Sequence, residues 1–267
     1  MKHLKSLILT FSSVSMIAVF ASFAVGQTGA TYQQMSSAQR AKFVSLQARE
    51  IARKISNTDY QFTPEFELDI QKSVDSYLER VNNPRSTKTD LSVVIQRAQP
   101  QAPTLMRVFK TRGVSPLLGL YIPWIESEYV NIQTPNDSGS IGMFQILAST
   151  GMSLGLNPTD LLDVEKSADA AARYLTRSLK VFDSYSTKEA LALLAYNRGN
   201  NSVASDAQLY VNDQNSSCSI CVLTKQIEKA NASSKEETYY VQRFFAAAII
   251  GENPKAFGLQ SAPLSSF

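Results

Sequence analysis

The sequence of 267 residues contains few of the side chains that enzymes most often use as nucleophiles, bases and metal ligands. It has one histidine, His3, and two cysteines, Cys218 and Cys221. Because His3 lies in a segment that we expect to be cleaved off, a Ser-His-Asp or Cys-His mechanism and imidazole-bound metal are excluded. Two thiols are too few for a four-thiolate metal site. The chemistry must therefore come from carboxylates, hydroxyls and lysines, and no cofactor is expected.

The first 26 residues have the features of a signal peptide. Lys2 and Lys5 form a basic start, an apolar stretch follows, and the small residues Ala24 and Gly26 precede Gln27. This pattern is typical of a signal peptidase site. An uncleaved membrane anchor is the alternative, which the serines in the middle of the stretch disfavour. We therefore predict a periplasmic or secreted protein that has no membrane contact after cleavage.

The net charge gives no indication of a nucleic acid partner. Cleavage after Gly26 removes Lys2 and Lys5 and no acidic residue, so the formal net charge falls from +3 by two, to +1. Binding to a phosphate backbone depends on an excess of Lys and Arg. A nearly neutral chain offers no such excess, and we predict no nucleic acid binding.

Apolar residues recur at helical spacing along most of the chain, and alternating strand patterns are almost absent, which predicts an all-α fold. One short helix is predicted at 146–154, and Pro123 is expected to bend or locally break its helix. Capping signals predict helix starts at Ser36, Thr63, Asp90, Ser115 and Thr187. The predicted units are a signal peptide (1–26), an N-terminal helical extension (27–89), a main helical domain (90–260) and a tail (261–267).

Glu126 ends the most apolar of the predicted helices. Leu118, Ile122 and Glu126 are spaced four residues apart, so the carboxyl group extends a stripe that is otherwise apolar. Loss of solvation favours the neutral form of a carboxyl group and raises its pKa, which keeps a general acid protonated near neutral pH. The alternative interpretation is a solvated glutamate at a helix end.

Four short motifs follow one another in the chain: Ile125-Glu126-Ser127, Gly139-Ser140-Ile141-Gly142-Met143-Phe144-Gln145, Ala195-Tyr196-Asn197-Arg198-Gly199 and Glu236-Glu237-Thr238-Tyr239-Tyr240-Val241. In this order and spacing they resemble the catalytic domain of the soluble lytic transglycosylases (SLT). The resemblance is closest to the group called membrane-bound lytic murein transglycosylase D. It covers about Asp90 to Gly258, and four motifs in order are far more specific than any one of them.

The resemblance implies a lysozyme-like helical domain with a groove for the glycan strands of peptidoglycan. The bond cut would be the β-1,4 bond between N-acetylmuramic acid and N-acetylglucosamine. Glu126 would be the only catalytic acid: it would protonate the glycosidic oxygen and then act as base on the muramic 6-hydroxyl, closing a 1,6-anhydro ring. Glu126→Gln should therefore abolish cleavage and leave the fold intact, and we expect a monomer.

Several motif residues have both a functional and a structural interpretation. Met143 could belong to the core, Gln145 could satisfy its own turn, and Asn197 could cap a helix. Glu236 and Glu237 could complete capping boxes, and the alignment does not decide which of them matches the family glutamate. The resemblance implies substrate binding by Ser127, Met143, Gln145, Tyr196, Asn197, Glu236, Glu237 and Tyr240.

The chain also departs from the family pattern. The segment from Glu126 to Gln145 is one residue longer, and Arg198 stands where the family has a small residue. A loop serine that orients the acetamido group of the substrate has no clear counterpart, and Asn136 or Thr134 occupies that region. These changes allow a different preference for N-acetylated and deacetylated glycan.

The longer segment carries Asp137, which opens a second mechanism. An inverting glycosidase needs a second carboxylate roughly 6.5–9.5 Å from the acid to activate a water molecule. With Asp137 in that place, the protein would be a hydrolytic lysozyme. The structural alternative is a turn residue, because Pro135-Asn136-Asp137-Ser138-Gly139 is favourable turn chemistry. A catalytically silent peptidoglycan-binding protein is the third alternative.

The Cys218-x-x-Cys221 pair predicts a small structural disulfide inside a loop, as is usual for an exported protein. A redox motif is disfavoured because no βαβ pattern surrounds the pair. Its position between Tyr196 and the last long helix also suggests the hypothesis that it gates the groove. Equal rates for reduced and oxidised protein would remove that hypothesis.

Overall fold

The computed structural model describes residues 30–81, 83, 85–211, 216–230 and 235–267. The predicted signal peptide lies outside these residues. The α-helices are α1 (Ser37–Ser56), α2 (Pro64–Leu78), α3 (Leu91–Ala98), α4 (Ala102–Thr111), α5 (Pro116–Ser127), α6 (Ala148–Ser153), α7 (Val164–Val181), α8 (Lys188–Arg198), α9 (Asn200–Tyr210), α10 (Ser219–Lys229), α11 (Lys235–Thr238) and α12 (Tyr240–Glu252). The strands are β1 (Ser140–Ile141) and β2 (Ile146–Leu147). Short 3-10 helices lie at Tyr32–Gln34, Pro158–Leu162, Pro254–Phe257 and Leu264–Ser266.

The predicted helix starts are confirmed. The Ser36 side chain accepts from the amide of Gln39, and Gln39 completes the capping box of α1. Asp90 caps α3 in the same way, by accepting from the amide of Ser92 at 2.8 Å. Thr187 precedes α8, but its hydroxyl accepts from the amide of Ile220 at 2.9 Å and so joins α8 to α10.

Helix α12 lies at the centre of the molecule. Its residues are all buried except Arg243, and it packs against α1, α2, α5 and α8. Helix α5 is buried from Leu117 to Ile125. A helix that is apolar on all sides must be surrounded by other helices, and the predicted all-α architecture is confirmed.

The N-terminal extension is part of the same hydrophobic core. Helix α2 packs along α12, and the Phe62 ring meets the Phe245 ring edge to face at 5.1 Å. The Tyr60 hydroxyl donates to the buried carboxylate of Glu189 at 2.7 Å. The extension therefore covers one side of the central helix.

Two local predictions were wrong in the placement of an element, and one of the two effects predicted at Pro123 is excluded. The segment predicted as one helix from Ile146 begins instead as β2, which pairs antiparallel with β1 before α6 starts. Pro123 was predicted to bend or locally break its helix, and of these two effects the break does not occur, since α5 runs on to Ser127. The disulfide between Cys218 and Cys221 forms, but at the first turn of α10 and not inside a loop, because Cys218 is the N-cap and accepts from the Cys221 amide.

Within the described ranges, no helix combines the length and the apolar character that crossing a membrane would require.

Candidate active site

A cavity of about 660 Å³ opens where the C-terminal ends of α5 and α8 meet the N-terminal end of α12. In the described part of the chain its wall comes from residues between 125 and 243. The N-terminal extension thus supports the helices behind the cavity without forming its wall. Glu126, Gln145, Tyr196, Asn197, Glu237 and Tyr240, all predicted from sequence, line it.

Glu126 is half-buried at the last turn of α5, and its carboxylate accepts a hydrogen bond from Tyr240. The distance from the Tyr240 hydroxyl to Glu126 Oε1 is 2.6 Å. Burial first, and then the negative charge of Glu126, raise the pKa of Tyr240 well above its ordinary value. The phenol therefore stays protonated, and a donated hydrogen bond of this kind orients a carboxylate and favours its charged form.

Tyr196 forms the wall on the α8 side. Its hydroxyl donates to the carbonyl of Phe144 at 2.9 Å, and its ring packs edge to face on Tyr174. Burial, followed by the charge of Glu126, raises the pKa of Tyr196 as well. Both tyrosines thus lie within the electrostatic field of Glu126, and the one that donates to it is Tyr240.

The backbone next to Glu126 is held on both sides. Arg243 on α12 donates to the carbonyl of Ile125 at 3.1 Å, and the Ser127 hydroxyl donates to the carbonyl of Met143 at 2.7 Å. Met143 is only 2% exposed, so it packs in the core, as one of its two interpretations proposed. Ser127 and Met143 thus support Glu126 from behind the cavity wall.

The Gly142–Gln145 turn brings Gln145 into the cavity wall. Gly142 has a φ of 78°, and a Cβ atom there would lie 2.2 Å from the carbonyl oxygen of Leu161, so only glycine fits. Gln145 donates to the carbonyl of Gly142 at 2.8 Å and accepts from Asn136 at 3.4 Å. Its amide both completes its own turn and faces the cavity.

The end of α8 brings charged groups to the cavity. Arg198 pairs with Asp206 on α9 at 2.8 Å and approaches the Glu237 carboxylate on α11 at 4.0 Å. Asn197 is exposed and lines the cavity. The side chain of Glu236 lies outside the described residues, and Glu237 is in the wall.

Asp137 occupies an exposed turn. The Asn136 side chain accepts from the Ser138 amide at 3.0 Å, and the Gly139 amide closes the turn on the Asn136 carbonyl at 2.8 Å. Asn136 and Ser138 line the cavity and Asp137 does not. Among the described residues, the carboxylates in the cavity wall are Glu126 and Glu237.

Sequence reasoning missed several residues of the wall. Arg243 had a usable signal: it is three positions after Tyr240, hence on the same face, and is the one basic residue of an apolar helix. Ser140 and Thr150 gave no signal of their own, because polar residues in a turn-rich segment are common. The described residues contain no group of three His, Cys, Asp or Glu side chains that could hold a metal ion.

The disulfide lies away from these groups along α8. Residues Ser186 and Thr187, at the start of α8, contact the first turn of α10, whereas Tyr196 and Asn197 are at the other end of α8. The hypothesis that the disulfide gates the groove stays a prediction.

Comparison with known proteins gives a family match over part of the chain. Residues 107–217 match the family model described as Transglycosylase SLT domain, and no curated protein matches the chain. The matched segment runs from within α4 past α9, so it includes Glu126, Gln145 and Tyr196. It excludes the extension and α12, which carries Tyr240 and Arg243.

Proposed function

We propose that this chain is a peptidoglycan-cleaving lytic transglycosylase that leaves 1,6-anhydromuramic ends. Its lysozyme-like helical domain would include residues 107–217, which match the Transglycosylase SLT domain model. Glu126 is the acid and then the base. The observation that carries the proposal is the Glu126 carboxylate, which accepts a hydrogen bond from Tyr240 at the junction of α5 and α12 and faces a cavity of about 660 Å³. Pockets of this size accommodate a small ligand such as a few sugar rings.

One carboxyl group is sufficient for both steps. Protonated Glu126 gives its proton to the glycosidic oxygen between N-acetylmuramic acid and N-acetylglucosamine, and the bond from that oxygen to C1 breaks. The Glu126 carboxylate then removes the proton of the muramic 6-hydroxyl, whose oxygen bonds to C1. No water is consumed, and Glu126 ends protonated, ready for the next cycle. The donated hydrogen bond from Tyr240 holds the carboxylate in place between the steps.

The wall residues support substrate binding. Gln145, Asn197 and Glu237 offer amide and carboxylate groups to the cavity, and these groups suit sugar hydroxyls and acetamido groups. Glu237 lines the cavity close to Arg198, which supports it as a match for the family glutamate. Asn136, one of the two residues in the region expected for the acetamido-binding serine, lines the cavity, which supports a test on both acetylated and deacetylated glycan.

Within the family we assign the chain to the membrane-bound lytic murein transglycosylase D group, on the order of the four motifs. The signal-like residues 1–26 support export, and the substrate is a wall polymer outside the cytoplasm. We therefore propose a periplasmic or secreted monomer.

A hydrolytic lysozyme is the second candidate. It needs a second carboxylate that activates water, and Glu237 is the described side chain that favours it, because it shares the cavity wall with Glu126. Asp137, the carboxylate suggested by the sequence, is exposed in its turn. The two mechanisms differ in their product, since hydrolysis leaves a reducing end.

Mass spectrometry of the muropeptides released from purified peptidoglycan tests the proposal. The mature protein should release anhydromuramic ends, and Glu126→Gln should release none while keeping its circular dichroism spectrum. Reducing ends that disappear with Glu237→Gln or Asp137→Asn would establish the lysozyme instead. Binding without any product, from acetylated or deacetylated sacculi, would leave a silent glycan-binding protein.

A further inference from the structure

The chain leaves the catalytic helix α5 through an unusual turn. Glu128 and Tyr129, the second and third residues after Glu126, are both in the left-handed region, with φ values of 51° and 60°. Residues with a Cβ atom rarely adopt this conformation, and two in succession persist only where neighbouring groups hold them. The position of Glu126 thus depends on what holds this turn.

Tyr129 is held by the catalytic domain itself. Its ring is 4% exposed and packs on Trp124, its hydroxyl donates to the Leu120 carbonyl at 2.6 Å, and its amide donates to the Pro123 carbonyl at 3.3 Å. All these partners belong to α5. This half of the turn therefore needs no help from other elements.

Glu128 is held from the N-terminal extension. Its carboxylate forms an ion pair with Arg80, just after α2, and the two side chains are only 13% (Arg80) and 25% (Glu128) exposed. The Arg80 guanidinium lies over the Tyr77 ring, 4.9 Å from its centroid. The Tyr77 ring in turn packs edge to face on Trp124, two residues before Glu126. Arg80 thus contacts Glu128 directly and reaches Trp124 through Tyr77.

The ion pair between Arg80 and Glu128 lowers stability in a way that an apolar contact between the same elements would not. The Nε atom of Arg80 is buried and has no hydrogen-bond partner among the residues that the structure describes, and a buried unpaired donor is destabilising. Apolar side chains could join α2 to α5 at lower cost, since replacing a buried ion pair with packed apolar groups is often neutral or stabilising. What an ion pair adds is a fixed direction for the Glu128 side chain, and hence a fixed turn.

We infer that Arg80 is a positioning residue for Glu126: by fixing Glu128 in its left-handed conformation, it sets the direction in which α5 presents the catalytic carboxylate. The inference rests on the proposed function for its catalytic readout. It gives the extension, which lies outside the family-matched segment, a role in the reaction without any contact with substrate.

The kinetic test compares Arg80→Gln with a matched loss of another contact of the extension. Tyr60→Phe removes the buried hydrogen bond to Glu189, also between the extension and the main domain but away from the turn. On soluble uncrosslinked glycan strands, Arg80→Gln should lower kcat by roughly ten- to a hundredfold, since small misplacements have effects of this size, with KM little changed. Arg80→Lys should restore part of the rate, and Tyr60→Phe should keep the wild-type kcat at temperatures where all variants are folded.

A second readout does not need activity. The Glu128 and Tyr129 amides donate to carbonyls of α5, so their hydrogen exchange reports the turn directly. Exchange at these two amides should accelerate in Arg80→Gln and in Glu128→Gln, and should stay at the wild-type rate in Tyr60→Phe. The double variant should be no worse than either single variant, because both remove one interaction.

The outcomes separate the two proposals. An inert wild-type protein with accelerated exchange in Arg80→Gln would refute the transglycosylase and keep the positioning role for Arg80. An active wild-type protein whose Arg80→Gln variant has unchanged kcat would refute the positioning role alone. Unchanged exchange at Glu128 and Tyr129 would also refute it, whatever the activity.

Discussion

The hydrogen bond from Tyr240 to Glu126 joins two residues that are 114 positions apart, and its effect can be measured as a pH dependence. Cleavage requires protonated Glu126, so activity is lost on the alkaline side as Glu126 ionises. Burial and the Glu126 charge raise the pKa of Tyr240, so the phenol donates throughout this range. The donated bond favours the carboxylate. Tyr240→Phe should therefore move the alkaline limb of kcat to higher pH, because the variant lacks the hydrogen bond that favours the charged form of Glu126.

Tyr196→Phe is the matched control for this prediction. Its hydroxyl donates to the Phe144 carbonyl and not to Glu126. The variant should lower the rate and leave the midpoint of the alkaline limb in place. Equal midpoints for wild type and Tyr240→Phe would contradict the role assigned to Tyr240.

The second prediction compares alanine substitutions at two glycines, Gly142 and Gly139. Both have positive φ, but a Cβ atom at Gly142 meets the Leu161 carbonyl whereas one at Gly139 meets open space. Gly139→Ala should lower the free energy of unfolding by about 1–2 kcal/mol, the cost of the left-handed conformation alone. Gly142→Ala should lower it by about 3 kcal/mol or more, because backbone must also move. Urea unfolding of both variants measures the difference, and equal losses would show that the Leu161 contact is unimportant.

At the scale of elements, the helices could be predicted because their signals are local. A capping box at Ser36 and an Asp cap at Asp90 mark starts that depend on a few neighbouring residues. Strands β1 and β2 could not be predicted, since two residues cannot show an alternating pattern. The Cys pair was placed in a loop because sequence alone did not show Cys218 as an N-cap.

The contact between Tyr60 of the extension and Glu189 of α8 leads to a prediction of how stability depends on pH. Burial raises the pKa of Glu189 above its ordinary value of 4.5, and the Tyr60 hydrogen bond only partly opposes this. The folded state therefore holds the proton more tightly than the unfolded state. The contribution of Glu189 to the free energy of unfolding is therefore fully present below pH 4.5, and it is lost as the pH rises through the pKa of Glu189 in the folded state. As the pH rises from 4.5 to 7, the free energy of unfolding of Glu189→Gln should therefore increase relative to that of the wild type.

Urea unfolding at the two pH values provides the measurement. Asp183 is a control of opposite sign, because hydrogen bonding and the charge of Lys188 lower its pKa. Asp183→Asn should therefore show no relative gain as pH rises. A constant difference between Glu189→Gln and wild type would contradict the assignment of burial as the dominant effect.

For the whole molecule, the candidate site could be predicted only in part. The motifs indicate which residue types take part, but they do not show which of these side chains lie close together in the fold. Glu126, Gln145 and Tyr196 were named from sequence and share one cavity. Ser127 and Met143 were named with them but do not line the cavity: Met143 is buried, and the Ser127 hydroxyl donates to the Met143 carbonyl. Arg80 and Arg243 belong to no motif, and their roles follow only from the packing of α12 on α5 and from the contact of Tyr77 in α2 with Trp124 in α5.

This packing leads to the last prediction, on the division of the chain. Sequence reasoning separated an extension (27–89) from a main domain (90–260), yet α2 covers α12 and Phe62 packs on Phe245. A variant that begins at residue 90 would expose a face of the central helix, and exposing large apolar faces promotes association and unfolding. It should lack a cooperative urea transition followed by Trp124, the only tryptophan, and should release no product from peptidoglycan. A variant starting at Gln27, the predicted mature terminus, serves as the control and should unfold in one transition. If the shorter variant were folded and active, the extension would be an independent unit, and neither its share of the core nor the role of Arg80 could be essential.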